Sequence, residues 1–144
     1  MNNSIRLLGI ARMAGFLEIG EEAVGSAARA GKARLILTAS DASPNALHRA
    51  RNFELAGGGV VNIVSPYSKE EMGMTVGKGT PSMVALTDIG LASKIASELA
   101  AELPEKYTEA AERLKLKAAR AAERKKEADA HRRNVRMGKR RNKA

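Results

Sequence analysis

The stretch FLEIGEEAVGSAARAGKARLILTAS, residues 16–40, reads as strand, helix and strand in one compact unit. Gly20 stands at the N-cap position, Glu21 and Glu22 put negative charge at the positive end of the helix dipole, and Gly31, soon after Arg29, is a C-terminal stop. The helix spans about three turns. Ala23, Ala27 and Ala30 share one face and are small enough for close packing on a sheet. Leu35-Ile36-Leu37 is the unbroken apolar run of a buried strand. A loop-to-helix junction such as the one at Gly20 leaves backbone N–H donors free, which suits a phosphate or a base edge.

The same alternation continues outward. Asn3 or Ser4 caps a first helix with an apolar stripe of Leu7, Leu8, Ala11 and Ala14, stopped by Gly15, and Phe16 to Ile19 is extended. Downstream, Ser43 is an N-cap and Pro44 a first helical residue. The helix they open runs to about Ala56, with Leu47, Ala50 and Phe53 inward and His48, Arg49 and Arg51 on other faces. Gly57-Gly58-Gly59 breaks the chain before a second buried-strand pattern, Val60 to Val64. Ser68 and Glu71 have capping-box spacing for a short helix that ends before Gly73 or Gly77. Residues 77–82 are a loop, Met83 to Leu86 a last strand, and Asp88 caps a helix carrying Leu91, Ile95 and Leu99 on one side. Helices and strands in strict alternation predict an α/β fold, a sheet sandwiched between helices.

Charge divides the 144 residues in two. Residues 1–103 hold ten Lys/Arg and ten Asp/Glu, whereas residues 104–144 hold fifteen and six, so the net charge of +9 belongs to the C-terminal part. The reading is a neutral domain, 1–103, with a basic extension, 104–144, and such an arm usually means nucleic acid and less often an anionic membrane surface. Within it Tyr107, Ala111, Leu114, Ala118 and Ala121 form a weakly apolar helical stripe, and Glu109 can pair with Arg113. Helix is expected to about Ala130. From His131 to Ala144 there are seven Lys/Arg and no acid, a composition expected to be disordered in the free protein.

Enzymatic chemistry finds little material. The chain lacks cysteine, and its two histidines, His48 and His131, fall on a helix surface and in the basic arm, so no catalytic residue, metal site or cofactor is expected. Asp41 and Asp88 are turn and capping residues. Gly73 to Gly79 superficially resembles a phosphate-binding loop, but its spacing is one residue short and Gly79 replaces the magnesium-binding hydroxyl, so a flexible turn is the expectation. Phe16, Phe53, Tyr67 and Tyr107 are too few for a base-stacking platform. No segment reads as a signal peptide or membrane span, and a cytoplasmic, monomeric protein without membrane contact is expected.

In order and spacing, Leu7-Leu8-Gly9-Ile10-Ala11-Arg12-Met13-Ala14-Gly15, Gly20-Glu21-Glu22-Ala23-Val24, Gly31-Lys32-Ala33-Arg34-Leu35, Asp41-Ala42-Ser43-Pro44 and Val76-Gly77-Lys78-Gly79 resemble the L-seven-Ae family of small ribosomal proteins, which includes kink-turn RNA binders; the closest likeness is to its bacterial, ribosome-associated branch. The resemblance covers about residues 4–103. It implies a three-layer α/β/α sandwich with a mixed four-stranded sheet and an RNA surface at the start of the second helix and in the loop before the last strand. In kink-turn binders a Gly, a small residue, Asn, Glu, two further residues and Lys follow the first strand. Here Gly20 is kept, while Glu22 stands for the Asn, Ala23 for the Glu and Ser26 for the Lys. Ala23 cannot accept from guanine, and Glu22 brings negative charge toward phosphate.

The expected function is therefore RNA binding by a ribosome-associated protein in translation, with structured RNA, ribosomal RNA above all, as partner. The alternative is a protein-interaction module of the translation or transcription machinery that has lost kink-turn recognition. Candidate RNA contacts on the body are Gly20, Glu21, Glu22, Ser26, Lys32 and Arg34, with Lys78, Gly79 and Thr80 in the loop. On the arm they are Arg132, Arg133, Arg136, Lys139, Arg140 and Arg141.

Overall fold

A computed structural model describes residues 3–141, with side chains to residue 137. The elements follow in the order α1 (Asn3–Met13), β1 (Leu17–Ile19), α2 (Glu21–Arg29), β2 (Leu35–Thr38), α3 (Pro44–Ala56), β3 (Val61–Val64), α4 (Lys69–Val76), β4 (Met83–Leu86), α5 (Ile89–Glu102) and α6 (Pro104–Arg141). The four strands form one mixed sheet in the order β1-β4-β2-β3. β4 runs antiparallel to both β1 and β2, and β2 runs parallel to β3, with Leu35 opposite Val61 and Leu86. β2 and β4, the central strands, are buried at every position, as their uninterrupted apolar sequences require.

Each face of the sheet has its own core. On one, Val24, Ala27 and Ala28 of α2 and Ala46 and Ala50 of α3 meet Ile36, Met83 and Ala85. On the other, α1, α4 and α5 cover Leu35, Leu37, Val84 and Leu86. The α2–α3 layer is thin because its contacts are small. Gly25 lies against the Phe53 ring so closely that a methyl group there would come within 2.9 Å of it.

Caps set the element ends. Ser43 Oγ accepts from Ala46 N at 3.1 Å, Asp88 from Leu91 N at 2.9 Å, and Ser68 with Glu71 completes a capping box. α4 runs through Gly73 and stops at Gly77, whose φ of +69° makes the left-handed turn. Two inward faces differ from expectation by a fraction of a turn. In α2 the buried residues are Val24, Gly25, Ala27 and Ala28, and Ala30 is the exposed C-cap. In α3 Ala46 is buried where Leu47 was expected, because positions 46, 50 and 53 keep the helical repeat.

The larger difference is α6. Helix was expected to end near Ala130 and disorder to follow, yet one helix continues to Arg141. Residues 142–144 of the segment expected to be disordered lie outside the described residues. Two causes act together. Tyr107, Ala110 and Leu114 are buried in the α1/α4/α5 core, so nucleation is supplied by docking, and beyond them Ala, Lys, Arg and Glu propagate helix at little cost with no Gly or Pro before Gly138. Tyr107 fastens the start, its hydroxyl donating to Val64 O of the edge strand β3 at 2.7 Å. The first turns of α6 therefore belong to the same core as residues 3–103.

Candidate nucleic-acid interface

The sheet places the candidate residues at two opposite ends. At one end, Gly20 follows β1 with a φ of +92° and donates its N–H to Met83 O at the start of β4. No side chain caps α2, so its first-turn amides face outward. Glu21 is half-buried and ion-paired with Arg49 of α3, and it accepts from Ser82 Oγ at 3.5 Å. That contact joins the start of α2 to the 77–82 loop.

The loop itself is held from beneath. Lys78 N donates to Gly73 O at 3.1 Å, and the Gly79 carbonyl rests so tightly on Gly73 that a Cβ there would overlap it. Lys78, Gly79 and Thr80 are all exposed. Arg12 of α1 adds a second cation, its guanidinium 3.0 Å from where a Gly77 Cβ would stand. With Gly73 inside α4 and the Lys78 amide already bonded, this is a helix cap with an exposed lysine and not an open cradle of amides.

Glu22 and Ser26 are exposed on α2. Glu22 leaves a carboxylate beside the outward amides, which opposes an anion there.

Lys32 and Arg34 do not join this surface. Arg34 N donates to Leu86 O at the far end of β4, whereas Ala39 N donates to Ser82 O at the near end. The length of β4 separates them, about 14 Å at strand rise, because α2 runs from one end of the sheet to the other. Arg34 instead meets α6. Lys117 and Arg113 both approach Gly59 O, at 3.5 and 3.4 Å, and burial followed by repulsion from Arg113 and Arg34 pulls the Lys117 pKa below its usual value. Sequence reasoning offered Arg113 only as a partner for Glu109, where the structure turns it to Gly59 O, and passed over Lys117, Arg120 and Arg124, although the spacing of the four by four, three and four residues marks a single helix face.

From Ala122 to Met137 α6 is almost wholly exposed. Arg132 pairs with Asp129, while Arg133 and Arg136 extend the positive face. Lys139, Arg140 and Arg141 have side chains outside the described residues. Among the described residues no group of acidic or histidine side chains is placed to hold a metal ion, and no helix is long and apolar enough to cross a membrane.

Neither a protein-family model nor a curated protein matches the chain. Among solved structures it is similar to a protein of unknown function from Bacillus halodurans, at 26% identity and a TM-score of 0.59, over 69% of this chain and 98% of that one. It is also similar to a 15.5 kD RNA-binding protein from Giardia lamblia, at 18% identity and a TM-score of 0.54, over 67% of this chain and 84% of that one. The likeness to the second is one of fold, an α/β sandwich around a mixed four-stranded sheet.

Proposed function

We propose that this protein binds structured RNA, as a cytoplasmic, monomeric, ribosome-associated member of the L-seven-Ae family that contacts ribosomal RNA and performs no catalysis. The observation that carries the reading is α6. At about 57 Å for 38 residues, it projects cationic side chains well past the last residues it buries, which does nothing for the core and suits a polyanion. The Giardia lamblia protein of the same fold is an RNA binder, which supports the reading. On the body, the α2 start and residues 77–80, the exposed part of the 77–82 loop, form the second contact, with Lys78 and Arg12 supplying charge.

Fluorescence anisotropy with labelled ribosomal RNA fragments tests this directly. Affinity should fall steeply with salt, and a chain ending at residue 123, which keeps Tyr107, Ala110 and Leu114, should lose most of it. No retention of RNA at about 50 mM salt would overturn the proposal.

One feature favours a protein partner instead: Glu22 is exposed where the kink-turn binders carry a neutral amide. Pull-down before and after ribonuclease treatment separates the readings, since a direct protein contact survives the digestion.

A further inference from the structure

At the end of the sheet opposite the 77–82 loop, the entry to β3 and the middle of α6 enclose a cavity of about 400 Å³. Arg34, Lys117, Arg120 and Arg124 line it together with Gly57, Gly58 and Gly59, and no carboxylate does. We propose that this cavity is a phosphate-binding site, taking either a phosphodiester of an RNA backbone or a free phosphate or pyrophosphate.

Among the described residues the ion pairs are Arg49–Glu21 and Arg132–Asp129, so none of the four lining cations is neutralised by a carboxylate. What they meet is backbone carbonyl: Arg34 donates to Gly31 O at 3.2 Å, and Lys117 shares Gly59 O with the adjacent Arg113 at distances too long for strong bonds. The C-terminal dipole of α3 offsets only about half a charge. Five cations therefore converge where one or two polar contacts would suffice to fix α6.

Position makes the convergence specific. Tyr107, Ala110 and Leu114 form the buried seam of α6, and its next inward position is Lys117, where an apolar residue would have extended the core. Burial and like charge depress its pKa, as expected of a cation held in a site that lacks its counterion.

The glycines shape the cavity without supplying donors. Gly58 and Gly59 have φ of +77° and +92°, and a Cβ on either would meet nothing within 4 Å, so the floor is open. Their amides are spent on Leu55 O and Glu54 O of α3. Recognition falls to the guanidinium groups, whose paired N–H donors match phosphate oxygens. From Arg124 the helix continues with Lys125 and Lys126 and, past Glu127 and the Asp129–Arg132 pair, with Arg133 and Arg136, a track along which a polynucleotide could leave the cavity.

The RNA form of the proposal rests on the function proposed above; the free-phosphate form does not. Two double variants remove equal charge from exposed positions of one helix: Arg120→Gln with Arg124→Gln at the cavity, and Arg133→Gln with Arg136→Gln beyond it. Both should remain folded by circular dichroism. Full-length proteins are titrated with a labelled RNA hairpin lacking terminal phosphates, and separately with inorganic pyrophosphate in a thermal shift assay.

The cavity pair should weaken the hairpin about tenfold more than the control pair does, and should abolish a pyrophosphate-dependent rise in Tm. Equal losses in both pairs with no pyrophosphate effect would overturn the site and leave RNA binding by the arm intact. A pyrophosphate effect confined to the wild type and control, with no hairpin binding at all, would support the site and refute the RNA reading. Silence in both assays would refute both.

Discussion

Leu114→Ala tests whether α6 is built into the body or merely attached to it. Leu114 is fully buried among residues of α5 and β3, sharing its cluster with Ile95, Leu99 and Val61. Truncation to Ala removes three carbon groups worth about 0.8 kcal/mol each, about 2.4 kcal/mol together, and a void that the neighbours close only in part raises the cost to about 3–4 kcal/mol. Against the ~5–15 kcal/mol of an ordinary domain that is a large fraction. Helix propensity cannot be the cause, since Ala is at least as good a helix former as Leu.

Leu116→Ala is the matched control, two residues along the same helix and 52% exposed, and should change stability by less than about 0.5 kcal/mol. Urea titration followed by far-ultraviolet circular dichroism gives both values from one cooperative transition, and the Tm of Leu114→Ala should fall by about 10 °C or more. If the two variants proved equally stable, α6 would not be part of the folded body. The nucleation account of its length would fall with it.

Tyr107→Phe should cost about 1 kcal/mol at neutral pH, since the Val64 carbonyl loses its donor. Burial, and then the neighbouring Tyr67 phenol, raises the Tyr107 pKa above 10.0; its contribution is whole below that value and is lost as pH rises through the folded-state pKa, so thermal melts should show the variant's deficit shrinking above about pH 10. Gly73→Ala would ordinarily favour helix, yet its methyl group collides with the Gly79 backbone. It should therefore destabilise the protein by about 1–3 kcal/mol in melts and weaken RNA binding as much as Lys78→Ala does, and normal stability would refute that packing. Replacing Arg132, Arg133 and Arg136 by Gln should lower the slope of log affinity against log salt by about 2–3, and an unchanged slope would remove the arm from the interface.

Local physics made most of the fold legible. Ser43-Pro44, the Ser68/Glu71 box and Asp88 announce helix starts through hydrogen bonds that reach three residues, and Leu35-Ile36-Leu37 has the short, unbroken apolar form typical of a buried strand. The course of the C-terminal part was less so. Whether Tyr107 and Leu114 find a partner depends on α6 folding back along α5 and reaching β3, 43 residues upstream, which local pattern does not reveal, and without that docking the alanine-rich stripe does predict a marginal helix. The candidate site split for a related reason. Arg34 and Glu21 are near neighbours along the chain, but a helix runs between them across the whole sheet and carries them to opposite ends.

That separation constrains how the molecule could hold a polyanion. The 77–82 loop and the Arg34 end of the sheet are about 14 Å apart along β4, roughly the span of two to three extended nucleotides, and α6, which starts against Val64 at the first end, brings Lys117, Arg120 and Arg124 to the second. A short strand that ran between the two ends over the α2 face would pass the exposed carboxylate of Glu22. A folded RNA, presenting phosphates from two of its own segments, meets both ends without that crossing. Glu22→Gln discriminates between the two: it should raise affinity for an unstructured oligonucleotide if the strand passes over α2, and leave a hairpin's affinity unchanged. A gain for the hairpin would place folded RNA on the α2 face and refute the two-ended arrangement.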